Sequence, residues 1–202
     1  MTEHKPWVGD LYKNREGLGG QLIAIVGHSH WYRKKSEDSD EFTIKIIEGV
    51  IQGDNLNFFT QIRKYFGSYS SAEFYQRVMF FNYLPDCVGK ECERYKKGTK
   101  EQIQRAKPRF NKLLEIYRPD KVIVFSNTQG KGWQTLPNTS EEEKKKELFR
   151  LGTSEKFTWG TYKVGNKTVR AYGLRHPQGA DKSEMQQAVR LILRMKHGSK
   201  LS

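Results

Sequence analysis

Strand-like and helix-like patterns of apolar positions alternate along the chain. The unbroken apolar runs Leu22 to Val26, Val78 to Phe81 and Val122 to Phe125 have the composition of strands buried on both faces, as in a parallel sheet. Between the first two runs, Phe58, Phe59, Ile62, Tyr65 and Phe66 recur at helical spacing. Between the second and third, Ile103, Ala106, Phe110, Leu113, Leu114 and Tyr117 do the same. Thr99 and Gln102 form a capping box that opens this second helix, and it closes before Pro119, with Pro108 a point where it kinks or divides.

The last third is less regular. Ser140 and Glu143 form another capping box, and the pairs Glu141/Lys145 and Glu142/Lys146 fit the solvated face of a helix. Tyr162 to Val164 and Lys167 to Tyr172 flank Gly165-Asn166, a hairpin turn that delivers the final strand. A closing helix is predicted from Ser183, with Gln186 in the capping position and Met185, Ala188, Val189, Ile192 and Met195 on one face, ending at Gly198. The order of elements predicts one α/β domain over residues 1–202, a three-layer αβα sandwich around a central, mostly parallel sheet.

Composition narrows the partners. The chain has 202 residues with 36 basic against 23 acidic, a formal charge of +13 and a pI near 9.7. That excess points to a polyanion, since lysines and arginines that neutralise phosphates release counterions and supply sequence-independent affinity. Two cysteines, Cys87 and Cys92, are too few for a disulfide framework or a four-thiolate metal site. A reduced, cytoplasmic setting is expected. No apolar stretch reaches the length of a membrane span, and the first residues lack the apolar core of a secretory signal. The expectation is a monomer that binds nucleic acid, not membrane, and carries no cofactor.

Candidate chemistry sits at two loops. Gly27-His28-Ser29-His30-Trp31-Tyr32 follows the first apolar run, and His176-Pro177-Gln178 follows Val169 to Leu174. In an open α/β sheet ligands bind beyond the strand ends, so the two loops are candidates for one shared site. Read alone, these residues leave alternatives open. Asn82 is a turn residue bonding its own backbone, or it reads a ligand. Phe42 belongs to the core, or it stacks on a ligand. His28, His30 and His176 compose a three-imidazole metal site, or they act without metal.

The order of these motifs resembles the uracil-DNA glycosylase superfamily. Its first motif follows the first core strand and reads G-Q-D-P-Y or G-E-A-P-G, and its last reads H-P-S. Here Gly27-His28-Ser29-His30-Trp31 and His176-Pro177-Gln178 stand in those places, the first being closer to the G-E-S-H-Y form of divergent branches. Val78 to Asn82 is similar to the family's apolar strand ending in a base-reading Asn. Pro119-Asp120 and Lys121 to Phe125 resemble the turn and strand that precede the last motif.

The resemblance implies a flipped base bound by Gly27, His28, Phe42 and Asn82, with Phe42 as the stacking face. It implies catalysis by His176, as donor to the leaving base, with Ser29 and His30 handling water. Ser29 stands where classical members hold an Asp that stabilises the cationic sugar, and a hydroxyl supplies no negative charge. Asp86 is a candidate replacement. Arg33, Lys34, Lys35, Lys131 and Arg175 are candidate phosphate contacts, and Trp133 beside Lys131 is a candidate for stacking. Three functions follow: a base-excision DNA glycosylase with altered first-motif chemistry, a non-catalytic nucleic-acid binder of the same fold, and a metal-dependent hydrolase built on the histidines. DNA is expected ahead of RNA.

Overall fold

The computed structural model describes residues 2–94, 96–125, 147–151 and 155–195. Their elements run β1 (Trp7–Val8), α1 (Asp10–Lys13), β2 (Ile23–Gly27), α2 (Phe42–Gln52), α3 (Asn57–Phe66), α4 (Ser71–Tyr75), β3 (Val78–Asn82), α5 (Lys100–Tyr117), β4 (Lys121–Phe125), β5 (Glu147–Leu151), β6 (Glu155–Val164), β7 (Lys167–Leu174) and α6 (Lys182–Arg194). The strands form one seven-stranded sheet in the order β1-β3-β2-β4-β7-β6-β5. Its centre, β3-β2-β4-β7, is wholly parallel, and β1, β6 and β5 join antiparallel at the flanks.

Alternation along each strand feeds two cores. Ile23, Ile25, Val78, Phe80, Ile123, Tyr172 and Leu174 point to one face, where α2, α3, α4 and α6 cover them with Ile47, Ile62, Phe74 and Val189 among others. Ala24, Val26, Met79, Phe81, Val122, Val124 and Ala171 point to the other, against Phe110, Leu113 and Leu114 of α5 and Tyr12 of α1. The result is the expected α/β sandwich of three layers.

The connections place a crevice. From β2 the chain crosses to β3 over the first face, and from β3 it returns under the second face to β4, on the far side of β2. The connection from β2 leads to β3 on one side and the strands that follow β4 stand on the other, so the order reverses between β2 and β4 and places the crevice beyond the carboxyl ends of these strands. The loops leaving β2 and β3 stay paired, the Tyr83 N–H on the Gly27 carbonyl and the Leu84 N–H on the His28 carbonyl at 2.9 Å each.

Several local expectations change. The pattern of apolar positions predicts no element over 42–52, where the structure has α2: Phe42, Thr43, Ile47 and Val50 are buried at helical spacing and Gly53, at φ +115°, ends it. Pro108 does not divide α5, because both Pro108 and Gln104, whose carbonyl loses its N–H partner, face solvent. The capping box of Thr99 and Gln102 stands as expected, with bonds of 2.8 and 3.1 Å. In α6 the cap is Asp181, whose carboxylate accepts from the Glu184 N–H at 2.9 Å, and not Ser183. The helix ends at Arg194, before Gly198. The Ser140 to Lys146 block, with Lys131 and Trp133, lies outside the described residues.

At the opposite end of the sheet from the crevice, the buried Lys121 ammonium bonds Gln21 and the carbonyls of Ile192 and Leu193 at 2.5 to 3.0 Å. It closes the last turn of α6, and burial brings its pKa down to about 8. No described helix is long and apolar enough to cross a membrane.

Candidate functional site

Gly27 and Asn82 are register partners at the carboxyl ends of β2 and β3. A Cβ on Gly27 would lie 2.2 Å from the Asn82 side-chain oxygen and 3.4 Å from the Phe58 ring, so only glycine lets the amide lie across this strand end. Asn82 is 4% exposed, and among the described residues its amide has no hydrogen-bond partner. Its backbone is fixed instead: the buried Arg109 guanidinium of α5 donates to the Asn82 carbonyl at 2.9 Å and also to the His4 carbonyl. Most buried side-chain amides find partners within the protein, so the Asn82 amide keeps a donor and an acceptor unspent.

The last motif arrives as expected. His176 follows β7, and its ring centroid lies 5.2 Å from that of Phe58 at the start of α3. Its Nδ1 accepts from the Gln178 backbone N–H at 3.2 Å, which puts the ring proton of the neutral form on Nε2 as a donor. Burial and then the neighbouring His28 hold the His176 pKa below the usual imidazole range. His28 is lowered too, again by burial, with the Lys97 carbonyl pulling the other way. Gly27, His28, Asn82 and His176 therefore share one end of the sheet, and both imidazoles are neutral at pH 7.

Phe58 was read from sequence only as a core position of its helix. Its half-buried ring, packed beside His176 and 3.4 Å from where a Cβ on Gly27 would stand, is the aromatic face of the crevice. Phe42 is not: it is buried at the start of α2, stacked on His4 with centroids 5.4 Å apart and edge-on to His30 at 5.2 Å. A base would have to displace the core to reach it.

His30 goes with Phe42. It is 8% exposed, its Nε2 meets the Thr43 hydroxyl at 3.0 Å, and burial drives its pKa down to about 3. It is a satisfied core histidine, so it cannot handle water, and the three imidazoles do not converge on a metal. Ser29, between the two histidines just beyond β2, is half-buried. Asp86 does not supply the missing charge there, because its carboxylate is engaged by Arg105 and Gln102, each at 2.5 Å.

Among the described residues, one set of ligand-type side chains comes within metal-holding distance: His4, Asp38 and Cys87. The Asp38 carboxylate already accepts from His4 at 2.8 Å, Lys35 at 2.6 Å and the Cys87 N–H at 3.3 Å. Burial opposes its ionisation, but these donors outweigh burial and hold its pKa below the ordinary value. The cluster is an internal lock that ties the N-terminal segment to the loop after β3.

The basic candidates differ. Arg33 and Lys34 are exposed and make no ion pair with described residues. Lys35 is committed to Asp38 and lies 5.0 Å from the Tyr32 ring centroid. Arg175 is half-buried beside His176, and Lys131 lies outside the described residues. Compared with protein-family models, curated proteins and solved structures, the chain gives no match.

Proposed function

We propose that the crevice takes a single nucleobase of a nucleic acid, DNA ahead of RNA, flipped from its stack. The observation that carries this reading is the Asn82 amide, laid across Gly27 without a hydrogen-bond partner among the described residues, on a backbone carbonyl held by Arg109. An amide presents a donor and an acceptor together, and so pairs with an edge such as N3–H and O4 of uracil. Phe58 offers an apolar face to the ring. The net charge of +13 supplies attraction to the phosphates.

For hydrolysis of the N-glycosidic bond, water attacks the sugar carbon while the bond to the base breaks and the base leaves with the electron pair. The Nε2–H of neutral His176 is a suitable donor to that developing anion. The complementary element, a carboxylate beside the cationic sugar, is lacking among the described residues of the crevice, since Asp86 is bound by Arg105. The site is therefore more complete as a base reader than as a hydrolase, and uracil excision is slow or absent.

Fluorescence anisotropy with oligonucleotides carrying uracil, hypoxanthine, xanthine or a mismatch tests binding, and single-turnover incubation of the same set tests excision. The reading expects tighter binding to at least one such oligonucleotide than to its unmodified counterpart, with a steep loss of affinity in salt. Equal, weak binding to all of them would overturn it.

A further inference from the structure

A groove of about 610 Å³ lies along the loops that leave β2 and β3, lined by Tyr32, Arg33, Lys90, Glu91, Cys92 and Arg94. These loops run side by side away from the crevice: the Leu84 N–H donates to the His28 carbonyl at 2.9 Å, the Val88 N–H to His30 at 3.0 Å, and the Tyr32 N–H to Gly89 at 3.0 Å. Crevice and groove are thus two ends of one ribbon. Tyr32 lies five positions beyond Gly27, at most about 18 Å of extended chain, a few phosphate spacings of a nucleic-acid strand.

The charges around the groove are sorted. Glu37 accepts from the backbone N–H groups of Arg33 and Lys34 at 3.0 and 3.3 Å, and Glu93 from that of Lys90 at 3.0 Å and from the Lys96 ammonium at 2.5 Å. Those two carboxylates are consumed in holding the loops. Glu91 is the one acid in the lining, and it meets Arg94 at a long 3.4 Å. Arg33 and Lys90 have no ion pair among the described residues. The acids shape the turns, and Arg33 and Lys90 stand exposed in the same lining as Tyr32.

Resting on the reading of the crevice as a nucleobase site, we propose that this groove is the track along which the phosphodiester backbone of the bound strand leaves the crevice. Lys90, Arg94 and Arg33 contact phosphates, and Tyr32 offers a surface for a neighbouring base. The exposed cations of Lys90 and Arg94 extend the basic surface beyond the residues that follow the first motif.

Cys92 gives a direct probe, because it is exposed in the groove while Cys87, the only other cysteine of the chain, is buried. The protein is alkylated with a maleimide, alone and with a saturating single-stranded oligothymidylate carrying one deoxyuridine. Labelling of Cys92 is expected to slow at least fivefold. The double variant Lys90→Gln/Arg94→Gln is expected to bind the oligonucleotide about tenfold more weakly. It should also flatten the slope of log affinity against log salt by about 1.4, two contacts at roughly 0.7 each. Free deoxyuridine, followed through the His176 ring resonances of the wild-type protein, reports on the crevice alone. If the oligonucleotide binds and deoxyuridine moves His176 while Cys92 labels at an unchanged rate, the strand takes another path and the groove proposal falls with the crevice reading intact. If neither ligand moves His176, the crevice reading fails and takes the groove with it.

Discussion

Two pairs of histidines lie toward the same end of the sheet and have opposite fates. His28 and His176 are half-buried at the crevice, neutral and next to each other. His4 and His30 are sealed among Phe42, Phe80, Asp38 and Thr43, each with a hydrogen-bonded ring nitrogen. The second pair fastens the N-terminal segment and α2 to β3, while the first is left at a surface where Asn82 has no partner among the described residues. An imidazole with its partner inside the protein contributes to stability. One whose free donor faces a crevice is available to a ligand.

The largest expected effect lies in the core pair. His30→Ala removes a buried ring and leaves the Thr43 hydroxyl unpaired, which costs about 3 kcal/mol of stability in urea unfolding. His176→Ala, at the rim, should cost well under half as much. Comparable losses for both would erase the distinction between the pairs.

Proton linkage separates them next. The folded pKa of His30, about 3, lies below its unfolded value near 6.5, so the unfolded chain takes up the proton first. The contribution of His30 is complete above pH 6.5 and is lost as pH falls toward 3, at about 1.4 kcal/mol per pH unit within that window. Urea midpoints measured from pH 7 to pH 4 should fall more steeply for the wild type than for His30→Gln, which has no proton to take up.

Asn82→Ala sharpens the contrast from the other side. The amide has no hydrogen-bond partner among the described residues, so its removal should change stability by under about 1 kcal/mol. Removal of base readout should nonetheless lower affinity for the preferred oligonucleotide by about tenfold or more, measured by anisotropy. A large loss of stability with unchanged affinity would make Asn82 a structural residue.

Much of this arrangement was legible in the chain. The parallel strands β2, β3 and β4 announce themselves because both faces are buried, β7 follows from the Gly165-Asn166 hairpin turn, and the capped start of α5 follows from Thr99 and Gln102. Placing Gly27, Asn82 and His176 together needed only the rule that strand ends share a crevice. What sequence did not reveal was direction. His28 and His30 are two apart, but the chain leaves β2 at Gly27, and nothing local says that the second ring turns to Thr43 of α2. Phe42 and Phe58 both open helices, and only packing shows that one is under His4 and the other beside His176. Asp86 looked free until α5 brought Arg105 to it, sixteen or more residues away in sequence. Arg109 was unremarked for the same reason: its role is a long-range bond to the Asn82 carbonyl.

The smallest absolute effect concerns chemistry. Ser29→Asp would place a carboxylate just beyond β2, and in a water-poor site that charge stabilises a cationic sugar far better than a hydroxyl does. Single-turnover excision of uracil should rise from its slow or undetectable wild-type level. It should not rise in Ser29→Asp/Asn82→Ala, where the base is no longer held.

The central claim is that one pair of histidines faces the ligand and the other does not, and imidazole NMR tests it directly. With ring carbons labelled, titration of the wild-type protein with a uracil-containing oligonucleotide should shift the resonances of His28 and His176 and leave those of His4 and His30 in place. Shifts confined to His4 and His30, or none at the two crevice histidines under saturating ligand, would contradict it.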